Sequence, residues 1–278
     1  MKENVDMRTN CCLDQKSKEL RTLILNSLGS SGRGHLGPAL SILEIVRVLY
    51  DSVLVYDPKK PNSPNRDRFI LSKGHGCLAL YAVLVDRGFI PKEQLMKFCS
   101  FDGILGGHPE SETTPGVEFS TGSLGHGLSV GVGIAVAARM QRKNWRTFVL
   151  LGDGELNEGS IWEAALHASK HRLGRLCVII DNNQMQAWGR SSKVVDIRPL
   201  REKWESFNFD VFEVDGHNLK ELENALAFSA DDYNSPRLII ANTIKGKGIQ
   251  AAENSTEWHH KSKITKEEID CLLKELNK

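Results

Sequence analysis

Residues 150–160 read LLGDGELNEGS, and they limit the fold more than any other stretch of the chain. From Thr147 to Leu151 runs a series of strand-forming side chains that stops at Gly152-Asp153-Gly154, and helical spacing takes over from 158 to 172. A strand that ends in glycines and feeds a helix is the building unit of a parallel sheet. Further strands are predicted at Arg68–Leu71, 176–181 (LCVIID), 209–214 and 237–242 (RLIIAN), alternating with helices. The fold class is therefore α/β: a doubly wound, mostly parallel sheet with helices on both faces.

An acidic residue between two glycines at a strand end has several readings. A dinucleotide fingerprint needs G-x-G-x-x-G, but after Gly152 and Gly154 the next glycine is Gly159, too far along for that turn. The G-x-x-x-x-G-K-[ST] phosphate loop fits Gly154 and Gly159, yet Ser160 stands where the lysine belongs. A calcium-binding EF-hand loop counted from Asp153 would need glycine and glutamate where Glu158 and Ala164 stand. Position offers more: strand 176–181 ends at Asn182-Asn183, and ligands of doubly wound folds bind at the carboxyl edge of the sheet. If the two strands are neighbours, Asp153 and Asn183 face each other, and with a backbone carbonyl such as that of Met185 they offer hard oxygen ligands to Mg²⁺, with diphosphate and water completing the shell. The start of helix 158–172 adds N–H donors toward the anion.

The rest of the chain supplies helices predicted at 13–28 (stopped by Gly29), 41–53, 77–87, 92–99, 123–140, 218–228 and 265–276, the last opened by the capping pair Thr265 and Glu268. Residues 31–40 (SGRGHLGPAL) and 102–122 read as loops, the second long enough to suggest that it serves a site. Gly127, Gly131 and Ala135, four apart, give helix 123–140 a smooth face for close packing against another helix, that of a second protomer included. No repeat, low-complexity tract or linker interrupts the sequence, so residues 1–278 are read as one domain. A net charge of +1 without a basic cluster argues against nucleic acid as a partner. The polar N-terminus and the lack of an apolar run of about 20 residues argue against a leader or a membrane span, and a cytoplasmic location is expected. Cys11, Cys12, Cys77, Cys99, Cys177 and Cys271 form no C-x-x-C pair and are expected to be reduced.

Gly152-Asp153-Gly154, twenty-seven residues, then Asn182-Asn183 resembles the thiamine-diphosphate signature, GDG, spacer, NN. GHLGPALS, RDRFILSKGHG, GGHPE, PGVEFSTGSLGHGLS, and TIKGKG followed by WHH resemble, in order, the N-terminal segment of transketolases, over about residues 20–261. The resemblance implies a PP-type thiamine-diphosphate-binding domain that uses thiamine diphosphate with Mg²⁺, or Ca²⁺ or Mn²⁺ in its place. It assigns Asp153, Asn183 and the carbonyl of Met185 to the metal, and a backbone bond from Gly154 to the diphosphate. His75 and His259 would touch the diphosphate, and Gly122, Ser123 and Leu124 would border the cofactor near its aminopyrimidine. His35, His108 and His259 would bind the hydroxyls and carbonyl of a ketose donor, and Glu158 would join a carboxylate network at a subunit interface. The reaction implied is transfer of a two-carbon ketol unit to an aldose, whose proton movements suit groups that titrate near neutrality.

A single histidine in a glycine loop is ordinarily a turn residue, but four in the family's order point to a site. His126 and His260 stand where the family usually has Gln and Gly and are read as ordinary residues, and His167, His171 and His217 as helix-surface or loop residues. Lys245 and Lys247 read equally as phosphate contacts or solvated loop lysines. The family's pyrimidine-binding domain, with the glutamate that activates the cofactor, and the arginines that grip a sugar phosphate, would follow this sequence. The initiating Met1 and the capped last helix suggest a natural subunit of a split transketolase, active only with a partner chain carrying the pyrimidine and C-terminal domains, in an α2β2 assembly acting on sugars or sugar phosphates. Leu36 and His126 depart from the usual Pro and Gln, which leaves the acceptor sugar open. The other readings are a 1-deoxyxylulose-5-phosphate synthase, the α-chain of a 2-oxo-acid dehydrogenase, and a cofactor-binding subunit without catalytic duty.

Overall fold

The computed structural model of the chain describes residues 13–228 and 234–277. Five strands, β1 (Arg68–Leu71), β2 (Thr147–Gly152), β3 (Leu176–Asn182), β4 (Asp210–Asp215) and β5 (Arg237–Asn242), form one sheet in the order β1-β2-β3-β5-β4, with every pair parallel. β2 and β3 are immediate neighbours, with Gly152 opposite Asp181. The carboxyl ends that carry Asp153 and Asn183 therefore lie side by side.

The central strands are continuous apolar runs because both faces of the sheet are covered. Phe148, Leu150, Cys177, Ile179, Ile239 and Ala241 point to one face, against α1 (Gln15–Ser31), α2 (Leu36–Val48), α3 (Cys77–Asp86), α8 (Leu219–Leu226) and α9 (Lys266–Leu276). Val149, Leu151, Val178, Ile180, Leu238 and Ile240 point to the other, against α4 (His126–Met140), α5 (Gly159–Lys170) and α7 (Leu200–Ser206). The short α6 (Ser191–Val194) lies between β3 and α7. No helix among the described residues is long and apolar enough to cross a membrane.

Several boundaries differ from the sequence reading for identifiable reasons. α1 runs through Gly29, whose missing Cβ lets Ile269 of α9 approach to 3.4 Å, and ends instead at Gly32, which takes the left-handed conformation (φ 66°) that caps a helix. α2 begins at Leu36 rather than 41, so most of the expected glycine loop is the first turn of a buried helix, with Pro38 tolerated there because first-turn N–H groups have no helical partner. The 123–125 segment is not helical: Gly125 adopts φ 87° before α4 starts. The 92–99 segment is a pair of tight turns over Lys92–Lys97, and α6 and α7 were not foreseen. The capping box on α9 is formed as expected, with Thr265 and Glu268 bonded reciprocally.

The smooth face of α4 has a different use from the one expected. A Cβ on Gly127 would strike Ser72, and one on Gly131 would come within 2.4 Å of Val149 Cγ2, so these glycines let α4 settle onto its own sheet rather than onto a second protomer. Gly133, on the outer side, has nothing within 4 Å. Cys77, Cys99, Cys177 and Cys271 are free thiols; Cys11 and Cys12 lie outside the described residues.

Candidate active site

At the carboxyl edge Asp153 is 2% exposed, accepting a hydrogen bond from its neighbour Gly154 N–H (2.8 Å) and one from Ser191 Oγ (2.8 Å). Burial, with the charge of nearby Asp181, pushes its pKa up to about 6, against the pull of those two donors. A buried carboxylate in this condition lacks a cation. Beside it Asn183 Oδ1 accepts from Met185 N–H (2.9 Å), and Asn183 Nδ2 donates to Asp181 Oδ2 (2.8 Å), so the amide oxygen is oriented toward the turn that holds the Met185 carbonyl. A Cβ on Gly154 would strike the Gln186 side chain, and Gln186 Nε2 is buried there with no hydrogen-bond partner. An acceptor-rich anion over Gly154 would satisfy that donor, and a divalent cation would neutralise Asp153, so the residues present suit a metal–diphosphate group. Among the described residues no three His, Cys, Asp or Glu side chains gather as a metal cluster; the set offered is one carboxylate, one amide oxygen and one carbonyl.

The turn is held by charges that the sequence reading missed. Lys73 Nζ and Asp181 Oδ2 form a buried ion pair at 2.5 Å. Asp181 also accepts from Ser41 of α2 (2.7 Å), from Asn183, and from Thr243 after β5. Burial alone would raise Asp181, but Lys73 and these donors hold it below the ordinary carboxylate range. An aspartate at the end of an apolar strand such as LCVIID is the signal available in sequence, since such a charge needs a buried partner. Glu155 was also missed: it accepts from Ser72 Oγ, Gly125 N–H (2.9 Å) and Gly152 N–H (3.1 Å), which fastens the loop after β1, the start of α4 and the end of β2 together. Glu158, in contrast, is exposed in the single chain.

Lys245 is not a solvated loop lysine. It is 1% exposed, and its ammonium donates to the carbonyls of Met185 (3.1 Å) and Gln186 (3.4 Å) and to His259 Nδ1 (2.6 Å), which places the His259 proton on Nε2. Burial and the charge of Lys73 bring its pKa down to about 8. Its loop is clasped from behind by a second buried network. Arg21 of α1 pairs with Glu44 of α2 through both carboxylate oxygens (2.6 and 3.1 Å) and donates from Nε to the Lys247 carbonyl (2.9 Å). His217 bridges Glu44 Oε2 (3.0 Å) and the Ile244 N–H (2.8 Å) and is buried, where a surface or loop residue was expected.

The four histidines singled out by the sequence converge. His35 lies 5.6 Å from His75, 6.1 Å from His108 and 5.8 Å from His259, ring centroid to centroid, and His75 lies 5.4 Å from His259. His35 precedes α2, His75 follows β1, His108 sits on the long loop and His259 follows Trp258, so four separate segments build one cluster. Burial, then the neighbouring imidazoles and lysines, lowers the pKa of His35 to about 4 and of His259, with Lys245 foremost, to about 3; His75 lies well below the usual value and His108 is lowered too. All four are neutral at pH 7, able to donate and accept hydrogen bonds at once. Gly122 lies against His108, where a Cβ would come within 3.2 Å of the ring, and its φ of 152° suits glycine. Ser123 is exposed and Leu124 half-buried, and His126, as expected, makes only a local contact, Nδ1 to the Leu124 carbonyl (3.2 Å). His167 and His171 pair with each other on α5 and the turn after it. His260, read as an ordinary residue, lies 4.6 Å from His35 and belongs to the cluster.

Comparison with known proteins agrees with this geometry. The family described as "Transketolase, thiamine diphosphate binding domain" matches residues 14–277. One of the two subunits of the apulose-4-phosphate transketolase of Actinobacillus succinogenes is 42% identical over 267 residues, which cover 95% of each chain. The "6-deoxy-6-sulfo-D-fructose transketolase subunit SqwG" of a Clostridium species is 38% identical over 266 residues, 96% of each. Among solved structures the transketolase of Leishmania mexicana superposes with a TM-score of 0.88 at 29% identity, covering 94% of this chain and 41% of its own, so the chain spans less than half of that protein.

Proposed function

The chain belongs to the transketolase family, as its N-terminal, thiamine-diphosphate-binding part, and from that premise we propose that it is the diphosphate-binding subunit of a two-chain transketolase. It is a single domain, residues 1–278, that transfers a two-carbon ketol unit from a ketose or ketose phosphate to an aldose or aldose phosphate only when a partner chain supplies the pyrimidine-binding and C-terminal domains. The enzyme is a soluble cytoplasmic α2β2 assembly. Both relatives named as subunits match this chain nearly end to end, whereas it spans 41% of the Leishmania transketolase, which supports a division of the enzyme between two chains.

The observation that carries the reading is the buried Asp153 carboxylate with no cation, set beside Gly154 and facing four neutral histidines. Asp153, Asn183 Oδ1 and the Met185 carbonyl hold Mg²⁺, or Ca²⁺ or Mn²⁺, and Gly154 N–H, His75 and His259 hold the diphosphate. Gly122, Ser123 and Leu124 border the aminopyrimidine, and Glu158, exposed in the single chain, meets the partner. Bound thiamine diphosphate supplies the carbon that takes up the two-carbon unit. His35, His108 and His259 orient the sugar hydroxyls and carbonyl and pass protons to and from its oxygens, which neutral imidazoles do without introducing a fixed charge. The test is ketol transfer from a ketose donor to an aldose, measured with and without the co-purified partner chain, alongside calorimetric titration of thiamine diphosphate with Mg²⁺. Robust transfer by this chain alone would overturn the two-chain reading, and utilisation of pyruvate in place of the ketose would overturn the assignment to transketolase.

A further inference from the structure

Gly34 and Lys261 form an isolated antiparallel bridge in which each backbone N–H donates to the other's carbonyl (2.9 and 3.0 Å). In an antiparallel pairing the next residues inward stand opposite each other without shared backbone bonds, the position at which Cα atoms come within about 4.5 Å and side chains are closest. Those residues are His35 and His260. Their ring centroids are 4.6 Å apart at 49°, closer than His35 comes to any other histidine of the cluster.

His260 is exposed while His35 and His259 are half-buried, so its ring covers the solvent side of the cluster. No hydrogen bond ties it to a protein group among the described residues, which leaves one ring donor and one acceptor for something that enters from outside. Its charge also ranks among the influences, after burial, that lower His35, His108 and His259, so it faces all three residues. The next residue, Lys261, is held away by Glu257 (2.8 Å), Glu268 (2.6 Å) and the face of Trp258 (4.3 Å). The bridge therefore presents to the mouth of the site a single imidazole with unspent hydrogen-bonding capacity.

We propose that His260 is a specificity-determining residue of this site, hydrogen-bonding a hydroxyl of the acceptor aldose beyond its reacting carbonyl. This rests on the ketol-transfer reading above. An aldehyde too short to reach the mouth gains nothing from His260; a longer polyhydroxylated aldose does. One neutral hydrogen bond is worth about 0.5–1.5 kcal/mol, so its loss corresponds to a roughly three- to tenfold change.

The experiment uses the complex of this chain with its partner, one ketose donor, and a series of acceptors from glycolaldehyde to ribose 5-phosphate. In His260→Phe, which keeps the bulk but not the hydrogen bond, the ratio of kcat/KM for the longest acceptor to that for glycolaldehyde should fall roughly three- to tenfold, chiefly through KM. His260→Gln, which can still donate and accept, should restore most of the ratio. A uniform change across the series, or a ratio the same in His260→Phe as in the parent, overturns the role of His260 while leaving the transketolase reading in place. Failure of the parent complex to transfer a ketol unit to any acceptor overturns that reading, and the role of His260 with it. Melting temperature and thiamine diphosphate affinity, measured for each variant, separate a damaged fold from a changed preference.

Discussion

Replacing Glu44 with alanine removes the hub of the network behind the Lys245 loop. Glu44 and Arg21 are buried (2% and 0% exposed), so the variant strands a guanidinium in the core and leaves the His217 Nδ1 contact without its acceptor. Breaking a buried ion pair from one side costs about 3–5 kcal/mol, mostly the penalty of the charge left behind. For a domain of this size each kcal/mol moves the melting point by about 2–4 °C, so Glu44→Ala should melt roughly 6–20 °C lower. Urea unfolding with coincident fluorescence and circular dichroism transitions would give the free energy directly. The double variant Arg21→Met, Glu44→Leu should recover most of the loss, because filling the space with apolar groups removes the stranded charge. Burial alone would raise the Glu44 carboxyl, but Arg21 and His217 hold it far below its ordinary value. Its folded pKa is thus depressed, so its stabilisation is complete above the unfolded pKa and is lost only as the pH falls far into the acid range. The deficit of Glu44→Ala should accordingly be the same at pH 7 and pH 5.5. A loss below about 1 kcal/mol, or a double variant no better than the single one, would refute the account of a buried charge that needs its partner.

The histidine cluster should behave oppositely with pH. His35 and His259 have folded pKa values of about 4 and about 3, below the unfolded 6.5, so the unfolded chain takes up protons first and stability falls as pH drops from about 6.5 toward 4; NMR titration of the His35 ring with a midpoint near 6.5 would contradict this. For Asp153 the folded pKa of about 6 lies above the unfolded 3.8, so the penalty of its charge appears as pH rises from 3.8 through 6. Asp153→Asn should therefore stabilise the cofactor-free chain at pH 7 by up to about 3 kcal/mol while weakening Mg²⁺-dependent binding of thiamine diphosphate, as calorimetry would read. On α4, Gly131→Ala, whose Cβ would meet Val149 Cγ2 at 2.4 Å, should cost about 1–3 kcal/mol, and Gly133→Ala, in open space, should stabilise the isolated chain by up to about 1 kcal/mol in chemical denaturation.

What could be read from sequence divides along a physical line. The parallel sheet, the adjacency of the GDG and NN turns and the four histidines were legible because each is written in a short segment: a strand period, a glycine pair, a loop motif. Lys73 with Asp181, Glu155, and the Arg21–Glu44–His217 network were not, because each joins segments far apart in the chain, and a lone lysine or histidine looks solvated until its partner is known. Gly29 and Gly32 show the same limit at short range. Either could end a helix, and it is Ile269 of α9, far along the chain, that makes the first a packing position and leaves the second as the cap. His260 was misread because its neighbour along the chain says nothing about its neighbour across the Gly34–Lys261 bridge.

That bridge also dictates an order of events during synthesis. The loop bearing His35 leaves the ribosome early, and all five strands follow before Trp258, His259 and His260 do. Long-range closures come late because their entropy must be met before their contacts form. A nascent chain can thus assemble its sheet with the mouth of the site still unlaced, and His35 gains its last two imidazole neighbours only when the segment around residue 261 is released. Capture of the cofactor and sugar is in this way a near-final act of translation, scheduled after the scaffold that must bear it already stands.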